Sequence, residues 1–98
     1  MNQLATITHQ NNRLLVAGDL VFSTIMPLWE QSLVLCQASK ELHFDLTQVK
    51  LSNSAGLALI IGWIKYAKQF NKPISFSHIP EQLKSIVAAA GIGKMVVV

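Results

Sequence analysis

Apolar and polar residues alternate along this 98-residue chain with the periods of strands and of helices in turn. Short runs rich in apolar and β-branched residues predict strands at residues 4–8, 13–17, 42–46 and 74–77. Apolar residues spaced by three or four predict helices at residues 24–38, 54–70 and 80–91. Polar turn residues separate these elements at 9–12, 18–19 and 47–48. The predicted order is β-β-α-β-α-β-α, and residues 95–98 are expected to form either a last strand or a docking segment.

The residues that start and stop these helices agree with this order. Pro27 falls in the first turn of the first helix, where a missing N–H costs nothing. Pro73 forbids continuation of the second helix, and Gly91 is typical of a helix end. Strands that alternate with helices favour an α/β fold, with a mixed, partly parallel sheet of four to five strands and helices packed on it. We expect residues 1–98 to form one domain.

The second helix has a wider apolar arc than a surface helix needs. At 100° per residue, Leu57, Ile60, Ile61 and Ile64 form the core stripe. A second apolar flank is formed by Leu59, Trp63, Tyr66 and Phe70. Either this helix is central and covered on both flanks, or the second flank is a docking surface with Trp63 as its main anchor.

The composition favours a protein that needs a partner. Hydrophobic residues make up 51% of the chain and charged residues only 13%, about half the usual charged share. A membrane, a protein partner or self-association could cover the apolar surplus. The longest apolar run, residues 55–64, is far shorter than the roughly 20 residues of a spanning helix. The N-terminus lacks a secretory signal and Cys36 stands alone, so we expect a cytoplasmic protein.

The sequence carries no pattern typical of catalysis, cofactor binding or metal binding. The net charge of +3 comes from scattered basic residues, which argues against nucleic-acid binding. His9, His43 and His78 lie far apart, and none pairs with Cys36 at a metal-ligand spacing. Residues 91–94 lack the glycine spacing of a phosphate loop. We therefore expect neither an enzyme nor a protein with a bound cofactor or metal.

The polar turn before the second helix is the strongest candidate for a functional surface. Ser54 stands where a helix N-cap belongs, and its hydroxyl can accept a hydrogen bond from a free backbone N–H. Gly56 leaves room for another backbone to approach. As a cap, Ser54 needs no further function; alternatively, this helix end receives a phosphate or an acceptor atom of a partner.

Residues 42–63, LHFDLTQVKLSNSAGLALIIGW, resemble the signature of STAS domains, the sulfate-transporter and anti-sigma-factor-antagonist family. Asp45 matches the aspartate of the family's strand, and residues 53–57 match its hydroxyl-bearing turn. The segment MPLWE, residues 26–30, together with the following long helix is similar to the small STAS subunit of bacterial phospholipid-transport (Mla) ABC complexes. The predicted element order agrees with the STAS fold over almost all of the chain.

This resemblance implies a non-enzymatic subunit that binds the ATPase of a phospholipid-transporting ABC complex. Such a subunit supports assembly or activity of a system that maintains outer-membrane lipid asymmetry, and it reaches the inner face of the inner membrane only through its partner. On the resemblance and the apolar flank together, the residues expected to contact the partner are Pro27, Trp29, Asn53, Ser54, Ala55, Gly56, Leu59 and Trp63. For Trp29, filling the space between helix and sheet remains an equal alternative.

The other branch of the family implies an anti-sigma-factor antagonist that is switched by phosphorylation at Ser54. In that branch an acidic residue usually precedes the hydroxyl, whereas this chain has Asn53. The missing carboxylate favours the transporter branch.

Overall fold

The structure, a computed structural model, describes residues 4–92 and has the predicted order of elements. The elements are β1 (Thr6–Gln10), β2 (Arg13–Leu20), α1 (Ile25–Ala38), β3 (Leu42–Ser52), α2 (Ser54–Gln69), β4 (Ile74–Ser77) and α3 (Glu81–Ala89). The prediction for residues 95–98 lies outside the described residues. No helix within residues 4–92 is long and apolar enough to cross a membrane.

The four strands form one mixed sheet in the order β1-β2-β3-β4. β1 and β2 are antiparallel, and Asn11 and Asn12 at their turn both have positive φ, as a tight hairpin requires. β2, β3 and β4 are parallel. Crossovers between parallel strands are right-handed as a rule, and both crossovers here step in the same direction, so α1 and α2 are expected on the same face of the sheet. The Trp63–Ser32 hydrogen bond joins the two helices there. The predicted α/β fold with a mixed sheet is confirmed.

The core lies between that face of the sheet and the three helices. Phe44 stacks on Trp63 with a centroid distance of 4.1 Å and on Phe76 at 5.3 Å. Trp63 is 0% exposed, and its Nε1 donates a hydrogen bond of 2.9 Å to Ser32 Oγ on α1. The largest side chain of α2 is therefore fixed by the sheet on one side and by α1 on the other.

Two strands run further than the sequence predicts. The polar residues at 47–48 lie inside β3 instead of forming a turn: Leu15 lies opposite Asp45 and Ala17 opposite Gln48, so Leu46 and Thr47 form a bulge opposite Val16. Asp45 Oδ1 accepts a 2.9 Å hydrogen bond from the Thr47 N–H, which closes the bulge. β2 likewise continues beyond Gly18, whose φ of 96° favours glycine and which lies at a second register shift, where Lys50 of β3 is the extra residue. The predicted ends of both strands were wrong, because bulge residues have the composition of turn residues.

Candidate docking surface

The segments that follow β2 and β3 leave the sheet side by side. Leu20, the last residue of β2, pairs with Ser52, the last residue of β3. The Asn53 N–H continues this contact with a 3.2 Å hydrogen bond to the Leu20 carbonyl. Both segments therefore lie at the carboxyl edge of the parallel strands, which is where open α/β sheets place their binding sites.

The N-cap of α2 is Asn53, and the prediction that Ser54 is the cap was wrong. Asn53 Oδ1 accepts a 2.8 Å hydrogen bond from the Ala55 N–H, and asparagine caps helices as well as serine does. Ser54 becomes the first helical residue and is exposed. Within residues 4–92 its hydroxyl has no hydrogen-bond partner. Because Asn53 already caps the helix, the Ser54 hydroxyl is available to another molecule.

The loop between β2 and α1 leaves the sheet next to the start of α2 and presents an exposed aromatic ring. The buried Thr24 hydroxyl donates to the Asp19 carbonyl and accepts a 3.1 Å hydrogen bond from the Val21 N–H. These bonds order the loop, and within it Phe22 is 69% exposed. Met26, in the first turn of α1, is 62% exposed. The sequence analysis missed both residues, although an aromatic residue in the short connection after β2 was a signal that could have been used.

An apolar groove of about 160 Å³ runs between α1 and α2. Its lining residues are Ile25, Met26, Trp29, Ala58, Leu59 and Gly62. A Cβ at Gly62 would lie 2.9 Å from the six-membered ring of Trp29, so the glycine makes room for the indole. Trp29 is half-buried against the core and also forms a groove wall. The two roles proposed for Trp29, packing and partner contact, are therefore compatible, because the side chain contacts the core and also lines the groove.

Five of the eight residues predicted to contact a partner are exposed or line the groove, and the other three are buried. Pro27, Asn53 and Ser54 are exposed, and Trp29 is half-buried. Leu59 is only 3% exposed, but it reaches the floor of the groove.

Three of the predicted contacts are inside the molecule. Ala55 and Trp63 are both 0% exposed, so neither presents a side chain to a partner. Gly56 is buried too, because a Cβ there would collide with Ser52 Oγ and lie 3.2 Å from Leu83 Cδ1. Gly56 therefore allows α3 to approach α2. The prediction that a partner's backbone approaches at Gly56 was wrong, because Leu83 of α3 lies there. The wide apolar arc of α2 mainly reflects burial, which agrees with the interpretation that this helix is central and covered on both flanks.

A separate polar cluster occupies the sheet face that the helices leave open. Arg13 Nη1 lies 3.4 Å from Asp45 Oδ2, and His43 Nδ1 lies 2.7 Å from Ser75 Oγ. Burial acts to raise the pKa of Asp45, but hydrogen bonds from Thr47 and the nearby His78 and Arg13 outweigh it and lower this pKa. Within residues 4–92, no three His, Cys, Asp or Glu side chains are placed to hold a metal ion.

Comparison with known proteins agrees with this architecture. A family model described as "Mlab, STAS domain" matches residues 4–98. The chain belongs to the STAS domain family. One relative is the "Intermembrane phospholipid transport system binding protein MlaB" of Haemophilus influenzae, which is 26% identical over 83 residues covering 81% of this chain and 79% of the relative. The predicted family is thus confirmed.

A solved structure shows the same fold. It is titled "Structure of the Anti-Sigma Factor Antagonist SpoIIAA in its Unphosphorylated Form" and matches with a TM-score of 0.69, covering 99% of this chain and 86% of the other. The sequence identity is 14%, so this likeness concerns the fold alone. It confirms the predicted STAS architecture.

Proposed function

We propose that this protein is a non-enzymatic STAS subunit of a phospholipid-transporting, Mla-type ABC complex and that it binds the complex's ATPase. The family match and the name of the Haemophilus influenzae relative support this proposal. The observation that carries it is the exposure of Ser54, Phe22 and Met26 on the two segments that leave the carboxyl edge of the sheet side by side, with Met26 also lining the apolar groove. We call these three residues the corner. In this role the protein supports assembly or activity of the complex and stays at the cytoplasmic side of the inner membrane through its partner.

The corner has the composition of the centre of a protein interface. Exposed aromatic and methionine side chains, here Phe22 and Met26, are enriched at interface centres. The Ser54 hydroxyl, at the exposed start of α2, can exchange a hydrogen bond with the partner. Covering these side chains also hides part of the apolar surplus of the chain.

Binding to the Mla-type ATPase of the same organism tests the proposal directly. Ser54→Arg places a bulky charged side chain inside the contact, and a buried charge without a partner costs about 3–5 kcal/mol. We therefore expect at least a hundredfold loss of affinity by calorimetry, with an unchanged circular dichroism spectrum. The matched control is Ser85→Arg, because Ser85 is an exposed serine on α3. Equal binding by both variants would exclude this corner, and no binding by the wild-type chain would overturn the proposed function.

The exposed Ser54 hydroxyl also favours a second candidate function, an anti-sigma-factor antagonist that is switched by phosphorylation. A phosphate at this position would add nearly two negative charges at a helix N-terminus, which accommodates anions. Asn53 in place of an acidic residue argues against this role. Mass spectrometry of the protein from growing cells distinguishes the two. Phosphate on Ser54 at high occupancy would favour the antagonist, and its absence under all growth conditions would exclude that function.

A further inference from the structure

The outer face of α2 changes character along its length. It begins with Ser54 and with Ala58, which lines the groove, and it continues to Lys65 and Lys68. Lys65 lies seven residues after Ala58, so at 100° per residue the two point in nearly the same direction. Both lysines are exposed, and neither forms an ion pair within residues 4–92. Lys65 therefore continues the α2 side of the apolar groove towards the C-terminus of the helix, and Lys68 lies one turn further on, about 60° round the helix from Lys65.

Acidic residues are scarce around the groove. The chain has no acidic residue from 46 to 80, which includes the end of β3 and the whole of α2. On α1 the one acidic residue is Glu30, which follows Met26 by a single helical turn. The two rims of the groove thus differ in charge: the α2 rim is basic, and the α1 rim carries a single carboxylate.

The groove has the size of one large side chain. Its volume is about 160 Å³, and an apolar cavity of about 150 Å³ accommodates a benzene ring. A leucine or phenylalanine side chain therefore fits between Met26 and Ala58. α1 and α2 each follow one of two parallel strands, so a helical segment can lie along the line between them and place one side chain in the groove.

We propose that the groove receives an amphipathic, acidic segment of the ATPase. One large apolar side chain of this segment enters between Met26 and Ala58, and its carboxylates lie beside Lys65 and Lys68. This inference rests on the proposed function, and it specifies the chemistry of the partner surface. An anionic membrane is the weaker occupant, because recognition of lipid headgroups usually takes about four to eight clustered basic residues, more than this face supplies.

Charge reversal on the α2 rim tests the electrostatic part of the inference. The double variant Lys65→Glu/Lys68→Glu and the control Lys40→Glu, an exposed lysine after α1, are titrated with the ATPase at several salt concentrations. We expect wild-type affinity to fall as salt rises, because exposed charge pairs are screened. We expect the double variant to bind about tenfold or more weakly at low salt and to lose the salt dependence, while the control behaves as wild type.

Filling the groove tests the apolar part. Ala58→Trp occupies the space from the exposed side of α2, so the fold should persist while affinity for the ATPase falls at least tenfold. Unchanged affinity in Ala58→Trp and in the charge-reversed variant, together with loss of binding in Ser54→Arg, would overturn this inference and leave the proposed function standing. Failure of the wild-type chain to bind the ATPase would overturn both. The double variant could instead lose binding to phosphatidylglycerol vesicles while it binds the ATPase like the wild type. That result would overturn the inference and identify a membrane surface as the occupant.

Discussion

The two tryptophans of the chain lie on opposite sides of the contact between α1 and α2. Trp63 is fully buried, stacked on Phe44, and hydrogen-bonded through its indole N–H. Trp29 is half-buried, and its ring rests against Gly62 at the wall of the groove. The sequence favoured both as partner contacts, yet only Trp29 offers any surface. Helical spacing shows that a residue lies on an apolar arc, but the neighbouring elements decide whether that part of the arc is covered.

Ser32 connects the two environments. Its hydroxyl donates a 2.7 Å hydrogen bond to the Trp29 carbonyl and accepts the 2.9 Å hydrogen bond from Trp63 Nε1. The serine is fully buried, so both partners keep it satisfied inside the core. The inner side of α2 is thus built for stability, while the outer side leaves an apolar groove open. Substitutions on the two sides should therefore differ in what they damage.

The largest effect is expected for Trp63→Ala on the inner side. This change removes the stack with Phe44 and leaves a large cavity, and such substitutions cost about 3–5 kcal/mol. Urea denaturation followed by circular dichroism measures the free energy of unfolding. A loss of less than about 1 kcal/mol in the free energy of unfolding would mean that Trp63 is not the centre of the core. The difference in role between Trp63 and Trp29 would then not hold.

Gly56→Ala should come next, because Gly56 also lies on the inner side. The added methyl group meets Ser52 Oγ and Leu83, and we expect this overpacking, which costs about 1–3 kcal/mol, to outweigh the gain of about 1 kcal/mol in helix propensity. Thermal denaturation checks this, with Gly62→Ala on the outer side as the matched control. Equal melting temperatures for the two variants would contradict the assignment of Gly56 to the contact between α2 and α3.

Trp29→Ala should separate stability from binding. The ring is only half-buried, so we expect a loss of about 1–2 kcal/mol in the free energy of unfolding, clearly less than for Trp63→Ala. Affinity for the ATPase should fall strongly, because a wall of the groove is gone. If the folded variant binds the ATPase as well as the wild type, Trp29 contributes to the core and not to the binding site.

The smallest effect on stability is expected for Gly62→Ala. Alanine raises helix propensity by about 1 kcal/mol, and this gain offsets the displacement of the Trp29 ring edge. The free energy of unfolding should change by less than about 1 kcal/mol, while affinity for the ATPase falls several-fold because the groove narrows. A large loss of stability would show that the ring cannot move and belongs to the rigid core.

Sequence reasoning predicted the type and order of every element between residues 4 and 92, because helical spacing and strand-like runs are local signals. It misplaced the end of β3, since Thr47 and Gln48 have the polarity of a turn and only the pairing with β2 shows that the strand continues through them past a bulge. It chose Ser54 over Asn53 as the cap because both residues cap helices well, and only the backbone geometry separates them.

For the candidate surface, sequence reasoning found Ser54 and Pro27 but could not separate buried from exposed apolar residues. Gly56 and Gly62 look alike in the sequence, yet one faces α3 and the other faces Trp29. Phe22 was missed because its exposure depends on the Thr24 hydroxyl, which orders the loop through bonds to residues that precede it. These properties depend on contacts between elements, which a single sequence does not display.

The unequal surroundings of the two indoles supply a pair of optical probes without any label. Trp63, shielded from water between Phe44 and α1, emits as an apolar indole and reports on whether the chain is folded. Trp29 is half in water and responds to whatever enters beside it. A shift in the fluorescence of Trp29, with the fluorescence of Trp63 unchanged, would therefore report occupancy of the groove in real time.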